Sequence, residues 1–274
     1  MPTVRIGISG WTYPPWRGVF YPPGLAHRKE LAYAAGQLSS IEVNGSFYAL
    51  QRPESYQSWR AETPEDFVFS VKAGRFITHM KKLREVEVPV ATFLASGLLA
   101  LGPKLGPILW QLPPNLGFDE RRMDDFFALL PTSTVAAAAM AAGHDERIEG
   151  RAFTTTDADR PVLHAVEVRH DTFTSARFLE TARRHGIAVV TADTAGKWPV
   201  IEEATAPFRY VRLHGDRELY VSGYDDAALD RWAEKVRAWS ESGDVYVYFD
   251  NDAKVRAPVD AMGLMQRLGV SPGG

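Results

Sequence analysis

The chain has 274 residues, of which 45% are hydrophobic and 24% are charged, and its formal net charge is −3. This composition is that of an ordinary soluble globular protein, and the small negative charge provides no overall basic field to attract nucleic acid or anionic lipid. The lack of cysteine excludes disulfides, thiolate nucleophiles and cysteine-bound zinc.

Eight short apolar segments predict β-strands, at 4–9, 39–44, 67–72, 107–112, 163–169, 187–193, 208–214 and 244–250. Helical patterns lie between or after them, at 26–37, 53–61, 89–101, 119–130, 174–185, 226–241 and 256–268. Strands that alternate with helices favour βαβ units and a parallel sheet. Eight evenly spaced strands favour a single (β/α)8 TIM barrel of the α/β class, with an open doubly wound sheet as the alternative.

Two segments interrupt this alternation. Residues 10–24 hold four prolines and several aromatic residues, which predicts a long ordered loop after the first strand. Residues 132–162 begin with an alanine-rich run that should be helical and continue with a polar, irregular stretch. We interpret this segment as an insertion packed on the barrel before the fifth strand. Since no linker is evident elsewhere, we predict one domain over residues 1–274.

The first residues lack the long apolar segment of a secretory leader, and no apolar run approaches the roughly 18 residues of a membrane span. We therefore expect a cytoplasmic protein without a membrane partner.

Polar side chains follow a regular pattern along the predicted strands. Within residues 163–173, Val166 and Val168 alternate with Glu167 and Arg169, so one face of that strand is apolar and the other is charged. The same alternation elsewhere places polar side chains on the inner face near the C-terminal ends of the strands, where TIM barrels carry their function. This set comprises Ser9, Glu42, Asn44, Ser70, Lys72, Gln111, Glu167, Arg169, Thr191, Asp193, Arg212, His214, Tyr248 and Asp250.

Burying unpaired charges costs several kcal/mol per ion, so these side chains must pair with one another or bind a ligand. A salt bridge without further function is a reasonable interpretation of a single pair such as Glu167–Arg169. The convergence of polar residues from nearly all strands favours a binding site. Lys72, Arg169 and Arg212 suit a carboxylate, a phosphate or another oxyanion.

Acid/base chemistry is the leading hypothesis for this site. Glu42 or Glu167 would be the base, His214 the acid or oxyanion donor, and Asp193 a further candidate. A metal is the alternative, because Glu42, Glu167, Asp193, His214 and Asp250 are all suitable ligands for a hard cation. No local metal motif is present and the neighbouring cations would repel a divalent ion. No nucleotide fingerprint is present either, so no cofactor is evident and a divalent metal stays open.

Aromatic residues of the loop 10–24 should mainly pack that loop onto the barrel. Trp11 and Tyr48 are the exceptions, which we expect to stack on a sugar or a base. Asn44-Gly45 predicts a turn after the second strand. His170 is expected to cap a local backbone segment.

Several motifs, taken together, occur in one order along nearly the whole chain. They are 7-GISGWTYPPWRGVFYP-22, 42-EVNGSFY-48, Lys72-Ala73, 167-EVRH-170, 210-YVRLHG-215 and Tyr224. The chain thereby resembles the YecE-like family, known as domain of unknown function 72. This resemblance implies a TIM-barrel fold and a cytoplasmic, mostly bacterial or archaeal protein, but no activity. Its kinship to the endonuclease IV and xylose isomerase barrels suggests nucleic-acid and metal functions only by analogy of fold.

The resemblance also implies site residues by position, namely Glu42, Asn44, Lys72, Gln111, Glu167, Arg169, Arg212 and His214. The family usually has an Asn-Asn pair after the eighth strand. Here the sequence is Asp250-Asn251, which adds a negative charge to the site.

We therefore predict an enzyme, a hydrolase, lyase or isomerase, that acts on a small anionic or sugar-like substrate. The predicted substrate-binding residues are Lys72, Arg169, Arg212, Asn44, Gln111, Trp11, Tyr48, Asp250 and Asn251. A metal-dependent phosphodiesterase or nuclease is one alternative. A non-catalytic binder of nucleic acid or a metabolite is another, although the acidic composition argues against nucleic acid.

Overall fold

The computed structural model describes residues 2–272, and among these it shows nine strands and nine α-helices. The strands are β1 (Val4–Ser9), β2 (Ser40–Val43), β3 (Val68–Lys72), β4 (Leu105–Gln111), β5 (His164–Glu167), β6 (Ala188–Val189), β7 (Thr191–Asp193), β8 (Phe208–Leu213) and β9 (Asp244–Phe249). The helices are α1 (Glu30–Ala35), α2 (Gly45–Tyr48), α3 (Pro53–Glu62), α4 (Glu87–Ala95), α5 (Glu120–Leu129), α6 (Thr134–Ala141), α7 (Ala176–Arg184), α8 (Asp226–Ser240) and α9 (Arg256–Leu268).

All eight predicted strands are present, and the one predicted at 187–193 is interrupted at Val190 to give β6 and β7. The strand pairs are parallel and helices alternate with strands, which confirms the predicted α/β fold of the TIM-barrel type. Within the described residues no helix is both long and apolar enough to span a membrane.

Residue contacts divide the chain into two compact units. The first unit takes in residues up to 42, residues 63–68 and those from 188 onward. Its strands are ordered β2-β1-β9-β8-β7, and α8 and α9 pack against each other and against β9. Apolar side chains on the strand faces opposite the polar set, among them Ile6, Ile8 and Val247, are fully buried. The prediction of a single domain stays a prediction.

In the first unit, β1 and β2 approach each other closely at Gly7. The register pairs Gly7 with Ser40 and, two residues later, Ser9 with Glu42. A Cβ atom on Gly7 would lie 1.9 Å from the carbonyl oxygen of Ser40, well inside van der Waals contact. Only glycine therefore allows this spacing.

The second unit comprises residues 43–62 and 69–187, with β3, β4 and β5 side by side and parallel. The alanine-rich run of the predicted insertion forms α6, which packs against α4. The Ser133 hydroxyl caps α6 by accepting a hydrogen bond from the Ala136 amide at 3.3 Å.

His164 on β5 is buried between two hydrogen-bond partners in the second unit. Its Nδ1 accepts from Trp110 Nε1 at 3.1 Å and its Nε2 lies 2.8 Å from the Pro131 carbonyl oxygen. Since Nδ1 is an acceptor, the proton is on Nε2 and the ring is neutral. Burial lowers the pKa of His164 to about 4.

Two local predictions are wrong. Asn44 does not begin a turn, because it adopts helical backbone angles and leads into the short helix α2, where the Ser46 hydroxyl bonds to the carbonyl oxygens of Val43 and Lys72. The helix predicted at 89–101 ends at Ala95, because Gly97 takes a left-handed conformation and a 3-10 segment, Leu98–Lys104, follows.

The long loop 10–24 is confirmed, with one 3-10 turn, Pro14–Trp16, inside it. Trp16 and Tyr21 are buried and their rings contact each other and Phe20. These aromatic side chains pack the loop, as predicted. The predicted capping role of His170 is also observed, since its side chain accepts from the Thr172 amide.

Candidate functional site

Six polar residues of the first unit form one hydrogen-bonded group, the Glu42 cluster. Its members are Ser9, Glu42, Tyr210, Arg212, His214 and Asp250, which lie on or directly after β1, β2, β8 and β9.

The centre of this cluster is the buried carboxylate of Glu42. It accepts hydrogen bonds from Ser9 Oγ at 2.9 Å, from Tyr210 Oη at 2.6 Å, and from Arg212 Nε and a terminal guanidinium nitrogen at 3.0 and 2.8 Å. Four donors thus replace the water that a buried carboxylate loses. Burial and the negative charge of Glu42 raise the pKa of Tyr210 well above its usual value, so this hydroxyl remains a donor.

Arg212 continues the network toward solvent. Its side chain is fully buried, and a terminal nitrogen donates to Asp250 Oδ2 at 2.9 Å. The same oxygen lies 3.0 Å from His214 Nδ1, while the edge of the Tyr220 ring packs on the imidazole. The Asp250 side chain keeps 16% of its surface exposed, whereas those of Arg212 and His214 keep none. The cluster therefore opens to solvent at Asp250.

This geometry bears on the predicted anion-binding role of Arg212. Its guanidinium bonds to two carboxylates, Glu42 and Asp250, both of which compensate its charge. An incoming anion would have to displace one of them and would meet the negative charge of the other. The arrangement favours a structural and positioning role for Arg212 over direct contact with an anion.

A second polar group lies in the second unit around Glu167. The Glu167 carboxylate is buried, and its Oε1 accepts from Gln111 Nε2 at 3.0 Å. Arg169 donates to the same oxygen through Nε and a terminal nitrogen, both at 2.9 Å. The structure thus brings together the pair noted in the sequence and adds the predicted residue Gln111 to it.

Lys72 and His79 meet at Phe47 in the same unit. The Lys72 ammonium lies 4.4 Å from the centre of the Phe47 ring, and the His79 ring packs edge-on against Phe47 at 5.1 Å. Burial, together with the positive charges of Arg169, Lys72 and Arg75, lowers the pKa of His79 to about 4. Three positive charges and the one negative charge of Glu167 therefore act on the imidazole.

Asp193 and Asn251 make hydrogen bonds to other residues. Asp193 accepts from the Tyr224 hydroxyl at 3.1 Å, and burial raises the pKa of Asp193. Asn251 donates to Asp260 at 2.8 Å and to the Ser222 carbonyl oxygen at 2.9 Å, and it thereby ties its loop to α9. These contacts give Asn251 a structural role.

Asn44, Trp11 and Tyr48 differ in how they are placed. Asn44 Oδ1 is buried and makes no hydrogen bond within the described part of the chain. Trp11 is half-buried, and its carbonyl oxygen accepts from the Tyr21 hydroxyl at 2.6 Å. The Tyr48 side chain is 72% exposed, which keeps the predicted stacking role open to a ligand.

Sequence reasoning missed two members of these groups, Tyr210 and His79. Tyr210 has the same strand parity as Arg212 and His214, so the alternation contained the signal. His79 lies in a π-helical turn, Phe76–Met80, for which no periodic pattern exists.

The described donors bear on the alternative of a metal site. Among residues 2–272, no group of three histidine, aspartate or glutamate side chains is placed to hold a metal ion. Arg212 donates to both oxygen atoms of Glu42, and Arg169 donates to Oε1 of Glu167, so a divalent cation would compete with these guanidinium groups.

Comparisons with known proteins agree with this architecture. The YecE protein of Escherichia coli strain K12 is 25% identical over 268 residues, which covers 93% of this chain and 89% of that protein. The crystal structure of a DUF72 family protein from Thermotoga maritima matches with a TM-score of 0.77 and 24% identity, over 97% of this chain and 99% of that one.

More distant barrels share the fold. The D-psicose 3-epimerase of Clostridium cellulolyticum, crystallised with D-tagatose, matches with a TM-score of 0.53 and 10% identity over 97% of this chain and 99% of that one. Finally, the sequence profile described as "Protein of unknown function DUF72" matches residues 5–273. The chain therefore belongs to the DUF72 family.

Proposed function

We propose that the protein is an enzyme that moves a proton on a small anionic or sugar-like substrate, with Asp250 as the proton acceptor. One observation carries this proposal. Asp250 is the member of the Glu42 cluster that reaches solvent, and its Oδ2 accepts a hydrogen bond from Arg212 at 2.9 Å and lies 3.0 Å from His214 Nδ1. A carboxylate that is accessible and rigidly oriented is suited to general-base catalysis.

The geometry shifts the role of base away from Glu42 and Glu167. Both carboxylates are buried and held by several donors, and a base must come within hydrogen-bond reach of the substrate proton. We assign Glu42 a positioning role, because it fixes the guanidinium of Arg212, which in turn fixes Asp250. Tyr210 and Ser9 support this role by completing the shell of donors around Glu42.

His214 is the partner of Asp250 in this scheme. Its Nδ1 lies 3.0 Å from Asp250 Oδ2, which is close enough for a proton to pass between the two groups. A proton accepted by Asp250 can therefore be shared with His214. His214 thus keeps a part in the acid/base chemistry predicted from the sequence, but it exchanges a proton with Asp250 and not with the substrate.

One comparison supports the substrate class. The fold is shared with an epimerase crystallised with a sugar, which makes sugars and their phosphates the first compounds to examine.

Deuterium exchange tests the proposal without knowledge of the product. A panel of ketohexoses, aldoses and their phosphates is incubated with the protein in D2O, and proton NMR follows the loss of each C–H signal next to the carbonyl group. We expect protein-dependent exchange for at least one sugar. Asp250→Asn should slow it by about 100-fold or more, since a general base contributes on that order.

Asp125→Asn, at an exposed aspartate of α5, is the matched control and should exchange at the wild-type rate. The proposal fails if no sugar in the panel exchanges, or if Asp250→Asn exchanges as fast as the wild type.

A further inference from the structure

A cleft of about 270 Å³ lies entirely in the second unit. It is bordered by α2, the π-helical turn, α4 and a 3-10 turn, Glu146–Ile148, from the segment 132–162. We call it the Phe76 cleft. Its main apolar lining residues are Phe47, Tyr48, Phe76, Ile77, Met80 and Phe93.

The cleft has a buried apolar floor and an exposed apolar rim. Phe47, Ile77 and Phe93 are buried, whereas the side chains of Tyr48 and Met80 are 72% and 64% exposed. Large apolar side chains exposed beside a concave surface are a common feature of ligand-binding sites. Tyrosine and methionine both pack well on a planar ring.

Two arginines give the rim a positive charge. Arg75 is exposed, and within the described residues its guanidinium makes no hydrogen bond or ion pair. Arg147 is held by Asp145, at 2.7 Å for the closest pair of atoms, and its guanidinium lies 5.2 Å from the centre of the Phe76 ring. With Asp145 offsetting Arg147, the charge of Arg75 is available to a ligand.

We propose that the Phe76 cleft binds a small aromatic anion, a single ring that carries a carboxylate or a phosphate group. The apolar floor accepts the ring, Tyr48 stacks on it, and the planar guanidinium of Arg75 pairs with two oxygen atoms of the anion. The volume lies just below the range of about 300–1,000 Å³ that holds drug-sized ligands, which limits the occupant to about one ring.

This site gives the segment 132–162 a function, because Arg147 comes from that segment and borders the cleft. The inference is independent of the proposed proton transfer. It uses none of the residues of the Glu42 cluster.

Titrations of the protein with phenyl phosphate, benzoate and benzyl alcohol, followed by ligand-observed NMR, test the proposal. We expect saturable binding of both anions, with a Kd in the range of about 1 mM that suits ligands of this size. Arg75→Ala should weaken both anions about tenfold, since it removes a charge-assisted pair, and should leave benzyl alcohol unchanged. Tyr48→Ala should weaken all three compounds.

Arg28→Ala is the matched control, because it removes an exposed arginine outside the cleft. It should bind all three compounds as the wild type does. The proposal is overturned if neither anion shows saturable binding, if Arg75→Ala binds both anions unchanged, or if benzyl alcohol binds as tightly as benzoate.

Two further measurements separate this site from others. Asp250→Asn should bind phenyl phosphate with unchanged affinity, so that loss of proton exchange and loss of cleft binding are distinguishable. Inorganic phosphate should compete only weakly with phenyl phosphate, and equal affinity of the two would show that the ring is not recognised.

Discussion

The pH dependence of stability should reveal the buried imidazole of His164. Its Nδ1 and Nε2 are both engaged, with Trp110 and the Pro131 carbonyl, so a second proton has no acceptor to meet. Burial therefore lowers the pKa of His164 from 6.5 to about 4. In the unfolded chain the imidazole takes up a proton near pH 6.5, whereas the folded protein resists it until about pH 4.

The sign and size of the effect follow from this difference. The stabilisation is complete above pH 6.5 and is lost as the pH falls from 6.5 toward 4. Each pKa unit corresponds to about 1.4 kcal/mol, and the two values differ by about 2.5, so His164 alone should remove about 3 kcal/mol of unfolding free energy between pH 7 and pH 4.

Urea denaturation at pH 7 and pH 4 measures this loss in the wild type and in His164→Gln. Glutamine keeps one acceptor and one donor but does not titrate. Subtracting the loss of unfolding free energy in the variant from that in the wild type cancels the contribution of the carboxylates that both proteins share. We expect the variant to lose about 3 kcal/mol less than the wild type, and His27→Gln, at an exposed histidine, to lose as much as the wild type. Equal losses in the wild type and His164→Gln would refute the reasoning.

Three further predictions concern the buried glutamates. Tyr210→Phe removes one donor to Glu42 and should lower the unfolding free energy, measured by urea denaturation, by about 1.5–3 kcal/mol. The Tyr246 hydroxyl makes no hydrogen bond in the described part of the chain, so Tyr246→Phe should change the unfolding free energy little. Arg212→Leu should lower the unfolding free energy by about 3–5 kcal/mol, because it leaves Glu42 buried without its cation. Adding Glu42→Gln to this variant should recover at least half of the lost free energy. If the double variant recovers none of it, the unpaired charge of Glu42 is not the cause of the loss. Since arginines already donate to the carboxylates of Glu42 and Glu167, a chelator should leave the thermal midpoint unchanged, and elemental analysis that finds a stoichiometric metal would contradict this expectation.

Much of the fold and part of the site could be predicted from the sequence. Strand and helix periodicity was sufficient for the alternating elements, and strand parity placed Glu42, Arg212 and His214 on one face, where they are found in contact. Both kinds of prediction rest on local geometry, which the chain repeats from strand to strand.

Which polar side chains contact one another could not be predicted in the same way. Glu42 and Arg212 are 170 residues apart, and their contact depends on the order and register of strands that sequence periodicity does not specify. The same limit applies to Asp250, whose position at the exposed end of the network follows from how β9 pairs with β8. His79 lies in a π-helical turn, a conformation without a sequence period, and its environment was equally hidden.

The close contact at Gly7 has a consequence for anyone who wishes to alter this protein. Glycine inside a strand normally weakens it, yet here the missing side chain sets the spacing that carries Ser9 to Glu42 two residues further on. Gly7 contributes no side chain to the cluster, but most members of a library that varies residue 7 together with the cluster would lose the close approach of the two strands. A successful redesign therefore keeps the codon for Gly7 fixed and varies the side chains that the glycine brings within reach.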